Sequence, residues 1–299
     1  MTTLTPTEPR VDAYPTRGVE AATITPRLDP VVHGDLRGPL EPEHLRTFED
    51  TGVLVIPNLL SNKLVAALDD EVSALAEDDD VRSREEAVLE PGGGALRSLF
   101  AVHELDGLLG AFTKDHQLVR IARQLLGSDV YIHQSRINLK PGFRGKEFYW
   151  HSDFETWHAE DGMPRMRAVS ASVLLTPNNP WNGPLLTMAG SHKWFTSCVG
   201  ETPPEHFRES LRKQEIGVPD DDSLRELARR GQIQQALGPA GTVVFFECNV
   251  MHGSNGNISP DPRRNVFLVF NSVENALEEP FAAPAPRPEH IASRTFDPV

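Results

Sequence analysis

The stretch Thr242-Val243-Val244-Phe245-Phe246-Glu247 decides the fold, because a short apolar run rich in β-branched and aromatic residues is typical of a buried strand. Three runs of the same texture lie in the second half of the chain: Val130 to Leu139, Arg167 to Thr176 and Asn265 to Asn271. Pro-Gly, Asn-Pro and Asn-Gly pairs punctuate this half, as expected of turns between strands. Many short strands joined by turns predict a sandwich or a jelly roll.

Helices are expected in front of these strands. From about Glu41 to Leu126 the pattern is largely helical, and Ser61 is placed to cap a segment whose apolar residues recur at helical spacing: Leu64, Ala67, Leu68, Val72 and Leu75. A second helical segment, from about Pro204 to Arg230, interrupts the strands. We therefore expect a mainly β protein with flanking α-helices that pack on the outside of the strands.

The domain organisation follows from where proline is concentrated. Residues 1–30 and 279–299 are rich in proline and poor in large apolar groups, a composition that does not offset the entropy lost on ordering. We expect both segments to be flexible tails. Residues 31–278 contain the predicted helices and strands and are expected to form a single catalytic domain.

Composition argues against several classes of protein. The 43 acidic residues outnumber the 29 basic ones, and the resulting net charge of −14 would repel phosphate backbones and anionic lipid. We therefore expect no nucleic-acid partner and no membrane partner. The two cysteines, Cys198 and Cys248, are too few for a disulfide framework and are typical of a reducing cytoplasm. For the assembly of the protein, a homodimer is one alternative.

A His-X-Asp triplet, His151-Ser152-Asp153, is the first candidate for chemistry. Residues two apart on a strand project to the same face, so the imidazole and the carboxylate can share one ion. The triplet alone is a weak signal, because His33-Gly34-Asp35 and His158-Ala159-Glu160 match the same pattern. The choice between the three has to come from their surroundings.

A second histidine gives His151 and Asp153 a third candidate ligand. His252 follows the strand Thr242 to Glu247, and Arg263 lies eleven residues further on. Two histidines and one carboxylate leave three positions open on a metal, the arrangement of non-haem iron(II) oxygenases. An oxo-acid such as 2-oxoglutarate can fill two of them, and Arg263 can then bind its distal carboxylate. The alternative reading is that His252 only satisfies backbone groups at a strand end and Arg263 is an exposed turn residue.

The residues around this triplet resemble a known family. The run from Phe148 to Pro164, FYWHSDFETWHAEDGMP, is similar to the signature of the ectoine hydroxylases, within the phytanoyl-CoA dioxygenase-like branch of the 2-oxoglutarate oxygenases. Further matching pieces follow the family's order: Gln134 to Asn138, Asn182 to Leu185, Gly190 to Lys193, His252 to Asn255 and Asn271 to Asn275. The resemblance covers roughly residues 35–278.

The resemblance implies a double-stranded β-helix, the jelly roll of cupin-like proteins, with Fe(II) bound by His151, Asp153 and His252. It also implies two further groups of site residues. For the co-substrate 2-oxoglutarate these are Arg263 and Ser170 at the distal carboxylate, with Phe148 and Asn138 helping to hold the rest of the molecule. For ectoine, a small cyclic amidine with a carboxylate, they are Gln134, Trp157, Phe246 and Phe267. The adjacent Arg264 is the alternative to Arg263. The alternation of side chains along the strand favours Arg263, which is in phase with Phe267.

Three functions are therefore in competition. The first is an Fe(II)- and 2-oxoglutarate-dependent dioxygenase that uses O2 to hydroxylate ectoine to 5-hydroxyectoine, a compatible solute of the osmotic stress response. The second keeps this chemistry and changes the substrate to another small amino acid such as proline, or to an acyl thioester. The third is a non-catalytic β-helix protein that binds a small solute.

Overall fold

A computed structural model describes residues 11–34, 37–90, 94–211 and 214–299. Its strands, in chain order, are β1 (Ile24–Pro26), β2 (Val53–Ile56), β3 (Ala87–Leu89), β4 (Leu96–Phe100), β5 (Val130–Lys140), β6 (Phe148–His151), β7 (Ala168–Leu174), β8 (Leu185–Ala189), β9 (Trp194–Thr196), β10 (Gln232–Gln235), β11 (Val243–Glu247), β12 (His252–Ser254) and β13 (Arg263–Ser272). All the pairings between these strands are antiparallel.

Most of the helices precede β5. The α-helices are α1 (Pro42–Thr51), α2 (Asn62–Glu77), α3 (Asp79–Arg82), α4 (Leu108–Phe112), α5 (His116–Leu126), α6 (Asp153–Thr156), α7 (Phe207–Ser210) and α8 (Asp221–Arg230). One π-helical turn, Trp157–Asp161, continues α6 directly. Short 3₁₀ turns cover Val102–Glu104, Ser191–Lys193 and Val273–Asn275. Among the described residues, no helix combines the length and the apolar character needed to cross a membrane.

The strands form a jelly roll of two main sheets. The major sheet has the order β2-β11-β7-β13-β5-β4-β3, and the minor sheet has the order β10-β8-β12-β6. A two-stranded ribbon of β1 and β9 lies outside them. The predicted mainly β fold with flanking helices and a jelly-roll core is confirmed.

The two faces of the major sheet differ in chemistry. Because directly opposed residues of antiparallel strands share a face, the register of β7 and β13 separates two sets. The outer set is apolar and packs with the helices into the main core: Val169, Ala171, Val173, Val266, Leu268 and Phe270. The inner set is largely polar and includes Ser170, Ser172, Asn265 and Phe267. The inner face is therefore the one available to a polar ligand.

The four predicted strands appear as β5, β7, β11 and β13, within a few residues of their expected ends. The cap is also present, because the Ser61 side chain accepts a hydrogen bond from the backbone N–H of Leu64. The region from Glu41 to Leu126 also contains β2, β3 and β4, which the sequence pattern did not separate from helix. A five-residue run such as β4 is buried throughout, so it shows no alternation that would mark it as a strand.

The described part of the N-terminal segment is packed, in contrast to the flexible tail that composition predicts. The Tyr14 ring contacts the rings of Phe154 and Phe195, each at a centroid distance of 5.1 Å. Arg17 is buried and its guanidinium pairs with Glu155 at 2.9 Å and with Glu160 at 2.5 Å. Local composition does not reveal these partners, because they lie about 140 to 180 positions away in the sequence.

The C-terminal segment is ordered against the domain in the same way. Ile291 is 1 % exposed, and the backbone N–H of Ser293 donates to the carbonyl of His133 at 2.8 Å. At the chain end, the N–H of Val299 donates to the carbonyl of Val130 at 3.0 Å. The segment therefore runs beside the start of β5, where backbone hydrogen bonds and single buried side chains such as Ile291 hold it.

We expect Arg17→Ala to destabilise the protein by about 3–5 kcal/mol, because it leaves two buried carboxylates without their cation. Urea unfolding followed by circular dichroism measures the change. Arg225→Ala is the matched control, since Arg225 pairs with Asp221 and Asp222 at the surface and its loss should change stability by less than about 1 kcal/mol. Equal effects of the two substitutions would contradict a structural role for the N-terminal segment.

Candidate active site

The pairing of two strands brings the three predicted metal ligands together. β12 pairs with β6 so that His252 lies directly opposite His151, and Asp153 begins the short helix that follows β6. The Nε2 atoms of the two histidines lie 3.6 Å (His151) and 3.8 Å (His252) from the oxygens of Asp153. One ligand atom from each residue lies within 4.8 Å of the other two.

Backbone carbonyls set the tautomer of both histidines. Nδ1 of His151 is 2.8 Å from the carbonyl oxygen of Tyr149, and Nδ1 of His252 is 3.0 Å from that of Val250. A carbonyl oxygen only accepts hydrogen bonds, so each Nδ1 is the protonated nitrogen. Each Nε2 therefore directs a lone pair toward Asp153, as a metal-binding imidazole requires.

The electrostatics of the cluster match this ligand role. Burial lowers the pKa of His252 to about 4, with the neighbouring His151 adding to the effect, so the ring is neutral at physiological pH. Burial alone would raise the pKa of Asp153, but His252, His151 and Arg136 together hold it well below its usual range. Two imidazoles and one carboxylate fit an Fe(II) ion and leave three positions for other ligands.

The cluster opens into a cavity between the two sheets. Its walls come from strands of both sheets, from α7 and from the C-terminal segment. Among the residues that line it are the three ligands and Arg97, Ser98, Phe100, Gln134, Arg136, Asn138, Lys140, Phe148, Thr156, Trp157, Leu185, Ser210, Leu211, Gln214, Ser254, Arg263, Phe267 and Arg287. Most of the predicted site residues are therefore brought to one cavity.

One end of the cavity has positive charge without a protein counterion. Arg263 donates to the carbonyl of Gly183 at 2.7 Å and to the side-chain oxygen of Asn138, and it makes no ion pair in the described part of the chain. Its Nε is buried without a partner. Burial, with the nearby Arg97 and Arg136, lowers the pKa of Arg263 to about 9. A bound anion would satisfy this guanidinium.

Lys140 adds a second cation at this end. It lies opposite Arg263 in the register of β5 and β13, and its ammonium group donates to Ser254 Oγ at 2.9 Å and to the Asn255 carbonyl at 2.5 Å. Burial lowers the pKa of Lys140 to about 6, and the charges of Arg263 and Arg97 act in the same direction. A bound ligand of opposite charge would therefore favour the ammonium form of Lys140.

The structure separates the two adjacent arginines. Arg263 is 2 % exposed and lines the cavity, whereas Arg264 pairs with Asp69 of α2 through two hydrogen bonds of 2.6 and 2.5 Å. Successive residues of a strand point to opposite faces, so only one of them can reach the site. Of the other predicted 2-oxoglutarate residues, Phe148 lines the cavity with its ring 4.8 Å from that of His151.

Ser170 requires a correction. It lies on the inner face of β7 but opposite Val269, six residues along β13 from Arg263, which is about 20 Å of extended strand. Side chains at that separation cannot share one carboxylate, so Ser170 is not a partner of Arg263. Within the described part of the chain, its buried hydroxyl has no hydrogen-bond partner, and Ser170 is not among the residues that line the cavity. The alternation of side chains along the strand correctly predicted which face of the sheet Ser170 occupies. It could not predict how far along the sheet Ser170 lies from Arg263.

The other end of the cavity combines aromatic faces with two arginines. Trp157 and Phe267 line it, and Arg136 lies over the Phe267 ring with 5.2 Å between its guanidinium carbon and the ring centroid. Gln134 accepts a hydrogen bond from Arg136 at 2.8 Å. The predicted Phe246 is not at the cavity wall, because it lies behind His252 with the two ring centroids 5.1 Å apart.

Sequence reasoning missed four cations that line the cavity: Arg97, Arg136, Lys140 and Arg287. Alternation along β5 could have found Arg136 and Lys140, since both share the face of Gln134 and Asn138. No comparable signal existed for Arg97, in a region predicted as helical, or for Arg287, in a segment predicted as a tail.

The two competing triplets lie away from the cluster. His158 contacts Asp12 at 2.9 Å and the Met163 carbonyl at 2.8 Å, and His33 contacts the Met166 carbonyl at 3.3 Å. Asp35 lies outside the described residues. Both histidines therefore have structural partners.

Comparison with known proteins agrees with this geometry. The family model of phytanoyl-CoA dioxygenase (PhyH) matches residues 48–265. The ectoine dioxygenase of Bordetella bronchiseptica is 55 % identical over 96 % of this chain and 94 % of its own length. The crystal structure of EctD from S. alaskensis with 2-oxoglutarate and 5-hydroxyectoine has a TM-score of 0.87 at 45 % identity, and covers 97 % of this chain and 96 % of that one.

A second crystal structure of the S. alaskensis protein, with bound Fe, has a TM-score of 0.85 at 45 % identity, with 95 % of each chain covered. The matched family segment includes His151, Asp153, His252 and Arg263. This chain therefore belongs to the phytanoyl-CoA dioxygenase family, in the branch formed by the ectoine dioxygenases.

Proposed function

We propose that this protein is an Fe(II)- and 2-oxoglutarate-dependent dioxygenase that hydroxylates ectoine to 5-hydroxyectoine. The observation that carries the proposal is one cavity with three parts: a His-Asp-His cluster, a buried arginine without an ion pair among the described residues at one end, and aromatic faces with arginines at the other. The S. alaskensis relative, crystallised with 2-oxoglutarate and 5-hydroxyectoine, supports the same assignment.

His151, Asp153 and His252 would hold the iron. When bound, Fe(II) couples the oxidative decarboxylation of 2-oxoglutarate by dioxygen, which yields succinate and carbon dioxide, to insertion of one oxygen atom into a C–H bond. The carbonyls of Tyr149 and Val250 keep both imidazoles in the ligating tautomer. The low pKa of Asp153 keeps the third ligand ionised throughout the physiological range.

The cationic end suits the distal carboxylate of 2-oxoglutarate. Arg263 presents a planar fork to a carboxylate, and its contacts with Gly183 and Asn138 fix the plane of that fork. Lys140 would give the dianion a second cation, and Phe148 would pack against its carbon chain. These assignments place one end of the co-substrate beside Arg263 and leave the other directed toward the metal ligands.

The aromatic end suits ectoine. Its ring is a delocalised amidinium, which aromatic faces stabilise, so Trp157 and Phe267 would enclose it. Its carboxylate needs a cation, and Arg136 and Arg287 both face this end. Gln134 would fix Arg136 through their mutual hydrogen bond. Together these groups would direct one ring carbon toward the metal, while Ser210 and Leu211 of the helical insertion screen the cavity from water.

We also propose that the protein is cytoplasmic. Both cysteines are buried free thiols, which supports a reducing cytoplasm. A homodimer stays a prediction that sedimentation of the purified protein would test.

The direct test is to supply the purified protein with Fe(II), 2-oxoglutarate, ascorbate and ectoine in air and to measure the mass of the product by mass spectrometry. We expect a gain of one oxygen atom on ectoine and one succinate per 5-hydroxyectoine, with no such gain on proline. Asp153→Ala should reduce the rate to background because it removes the charged ligand.

His33→Ala is the matched control, because His33 belongs to a competing triplet away from the cluster and should keep wild-type turnover. Turnover of 2-oxoglutarate with proline but not with ectoine would refute the substrate assignment. If the protein does not bind Fe(II), the result would favour the alternative of a non-catalytic protein that binds a small solute.

A second prediction separates Arg263 from its neighbour. Arg263→Gln should raise the KM for 2-oxoglutarate by about thirtyfold or more, because it removes the buried positive charge that would pair with the distal carboxylate of 2-oxoglutarate. Arg264→Gln should leave that KM within about twofold and reduce stability only slightly, since its pair with Asp69 is partly exposed. Steady-state kinetics with 2-oxoglutarate as the varied substrate measure both, and equal KM values would contradict the assignment.

A third prediction concerns pH. Without ligand, Lys140 is mostly neutral above pH 6, because burial lowers its pKa to about 6. A bound dianion stabilises the ammonium form and raises this pKa, so binding takes up a proton and 2-oxoglutarate affinity falls as pH rises above about 6. Below pH 6 the ammonium is already present and the dependence should vanish.

Calorimetry of 2-oxoglutarate binding to the Fe(II)-loaded protein without oxygen, in buffers of different ionisation enthalpy, measures this uptake. At pH 8 the wild type should take up about one proton more than Lys140→Met, in which no ammonium can form. Identical uptake by the two proteins would show that Lys140 does not titrate on binding.

A further inference from the structure

We propose that Asp161 is a positioning residue for the hydroxylation, which holds Arg287 and, through His133, the ring of Trp157 at the ectoine end of the cavity. The inference rests on the proposed function and deepens it, since it names the group that orders the substrate-facing side chains. Asp161 itself does not line the cavity.

The contacts of Asp161 are those of a buried anchor. It is fully buried, and both of its carboxylate oxygens accept from Arg287, Oδ1 from Nε at 2.7 Å and Oδ2 from Nη2 at 2.5 Å. Oδ2 also lies 3.5 Å from Nε2 of His133, a ring that is likewise fully buried. Arg287 holds the pKa of Asp161 below its usual range despite burial, so the carboxylate stays charged.

Both partners of Asp161 reach the ectoine end. Arg287 lines the cavity, and its pair with Asp161 uses two of its five N–H groups, which leaves the others for a ligand. His133 meets Trp157 edge to face, with ring centroids 5.1 Å apart and planes at 70°. Asp161 therefore holds the Arg287 cation through two hydrogen bonds and lies 3.5 Å from the ring that packs against Trp157, a ring whose nitrogens make no hydrogen bond among the described residues.

The local backbone couples these groups further. Trp157 and Asp161 are the first and last residues of the π-helical turn, a wider turn than an α-helix and a rare one outside functional sites. Gly162 ends the turn at φ +82°, and a Cβ there would lie 2.2 Å from the carbonyl oxygen of Glu278 and 2.7 Å from that of Glu279, the first residue of the C-terminal segment. The turn therefore packs tightly against the C-terminal segment, which contributes Arg287.

The neighbouring pair of Glu155 and Arg17 provides a matched control. It too joins a buried carboxylate to a buried arginine through two hydrogen bonds, of 3.0 and 2.9 Å, but neither residue lines the cavity. Loss of either carboxylate charge should destabilise the fold to a similar degree. Only the loss at Asp161 should alter the handling of ectoine.

The test compares Asp161→Asn with Glu155→Gln in steady-state kinetics on the iron-loaded enzyme. Asp161→Asn should raise the KM for ectoine by about tenfold and lower the yield of 5-hydroxyectoine per succinate, because a loosely held substrate leaves part of the 2-oxoglutarate turnover uncoupled. The KM for 2-oxoglutarate should stay within about twofold. Glu155→Gln should change neither the ectoine KM nor the coupling.

A double-mutant cycle with Arg287→Gln keeps the test decisive if Asp161→Asn alone fails to fold. The double variant removes both charges of the pair, so no buried ion is left without a partner. Because Asp161 acts largely through Arg287, the double variant should match Arg287→Gln in its ectoine KM to within about threefold. A wild-type ectoine KM in both Arg287→Gln and the double variant would overturn the positioning role.

Other outcomes overturn the proposal in distinguishable ways. An unchanged ectoine KM and coupling in Asp161→Asn, or equal changes in Glu155→Gln, would refute the role of Asp161 while the wild type still produces 5-hydroxyectoine. Wild-type protein that consumes 2-oxoglutarate without forming 5-hydroxyectoine would refute the proposed function, and the positioning role with it.

Discussion

The antiparallel pairing of β12 with β6 is the constraint on which the site depends. It places His252 opposite His151 although about a hundred residues separate them, and the turn after β6 adds Asp153. Backbone hydrogen bonds of a sheet hold this geometry to a fraction of an ångström, whereas flexible loops would not. Strand pairing thus sets the positions of the two histidine ligands, and the carbonyls of Tyr149 and Val250 complete that arrangement by setting the tautomers.

The buried charges of the cavity are divided between protein partners and ligands. Arg287 and Arg97 have carboxylate partners, Asp161 and Glu90, whereas Arg263 makes no ion pair among the described residues. A buried cation without a partner destabilises the free protein, and a bound carboxylate removes that penalty. The cavity is in this sense incomplete without its anions: Arg263 lies where 2-oxoglutarate is expected to bind, and Arg136, which likewise makes no ion pair among the described residues, lies where the carboxylate of ectoine is expected.

Much of the fold and of the metal site could be predicted. The four long strands appear near their expected ends, and the chosen triplet lies beside His252 while its two competitors do not. The strands β2, β3 and β4 could not be predicted, since short buried runs have no distinguishing period. Ser170 shows the complementary limit, because alternation identifies a face but the register that placed it opposite Val269 is set by pairing with another strand.

By itself, the sequence determined which residues can do chemistry: the triad, the arginine beyond it and the aromatic signature, because these depend on residue type and short spacing. Only the tertiary structure decided which further groups join them. Arg287 reaches the cavity from a segment that composition predicted to be flexible, and Asp161 anchors it across 126 positions of sequence. The physical reason is that ion pairs and strand register are long-range contacts, whose energies depend on distance in space and leave no periodic trace along the chain.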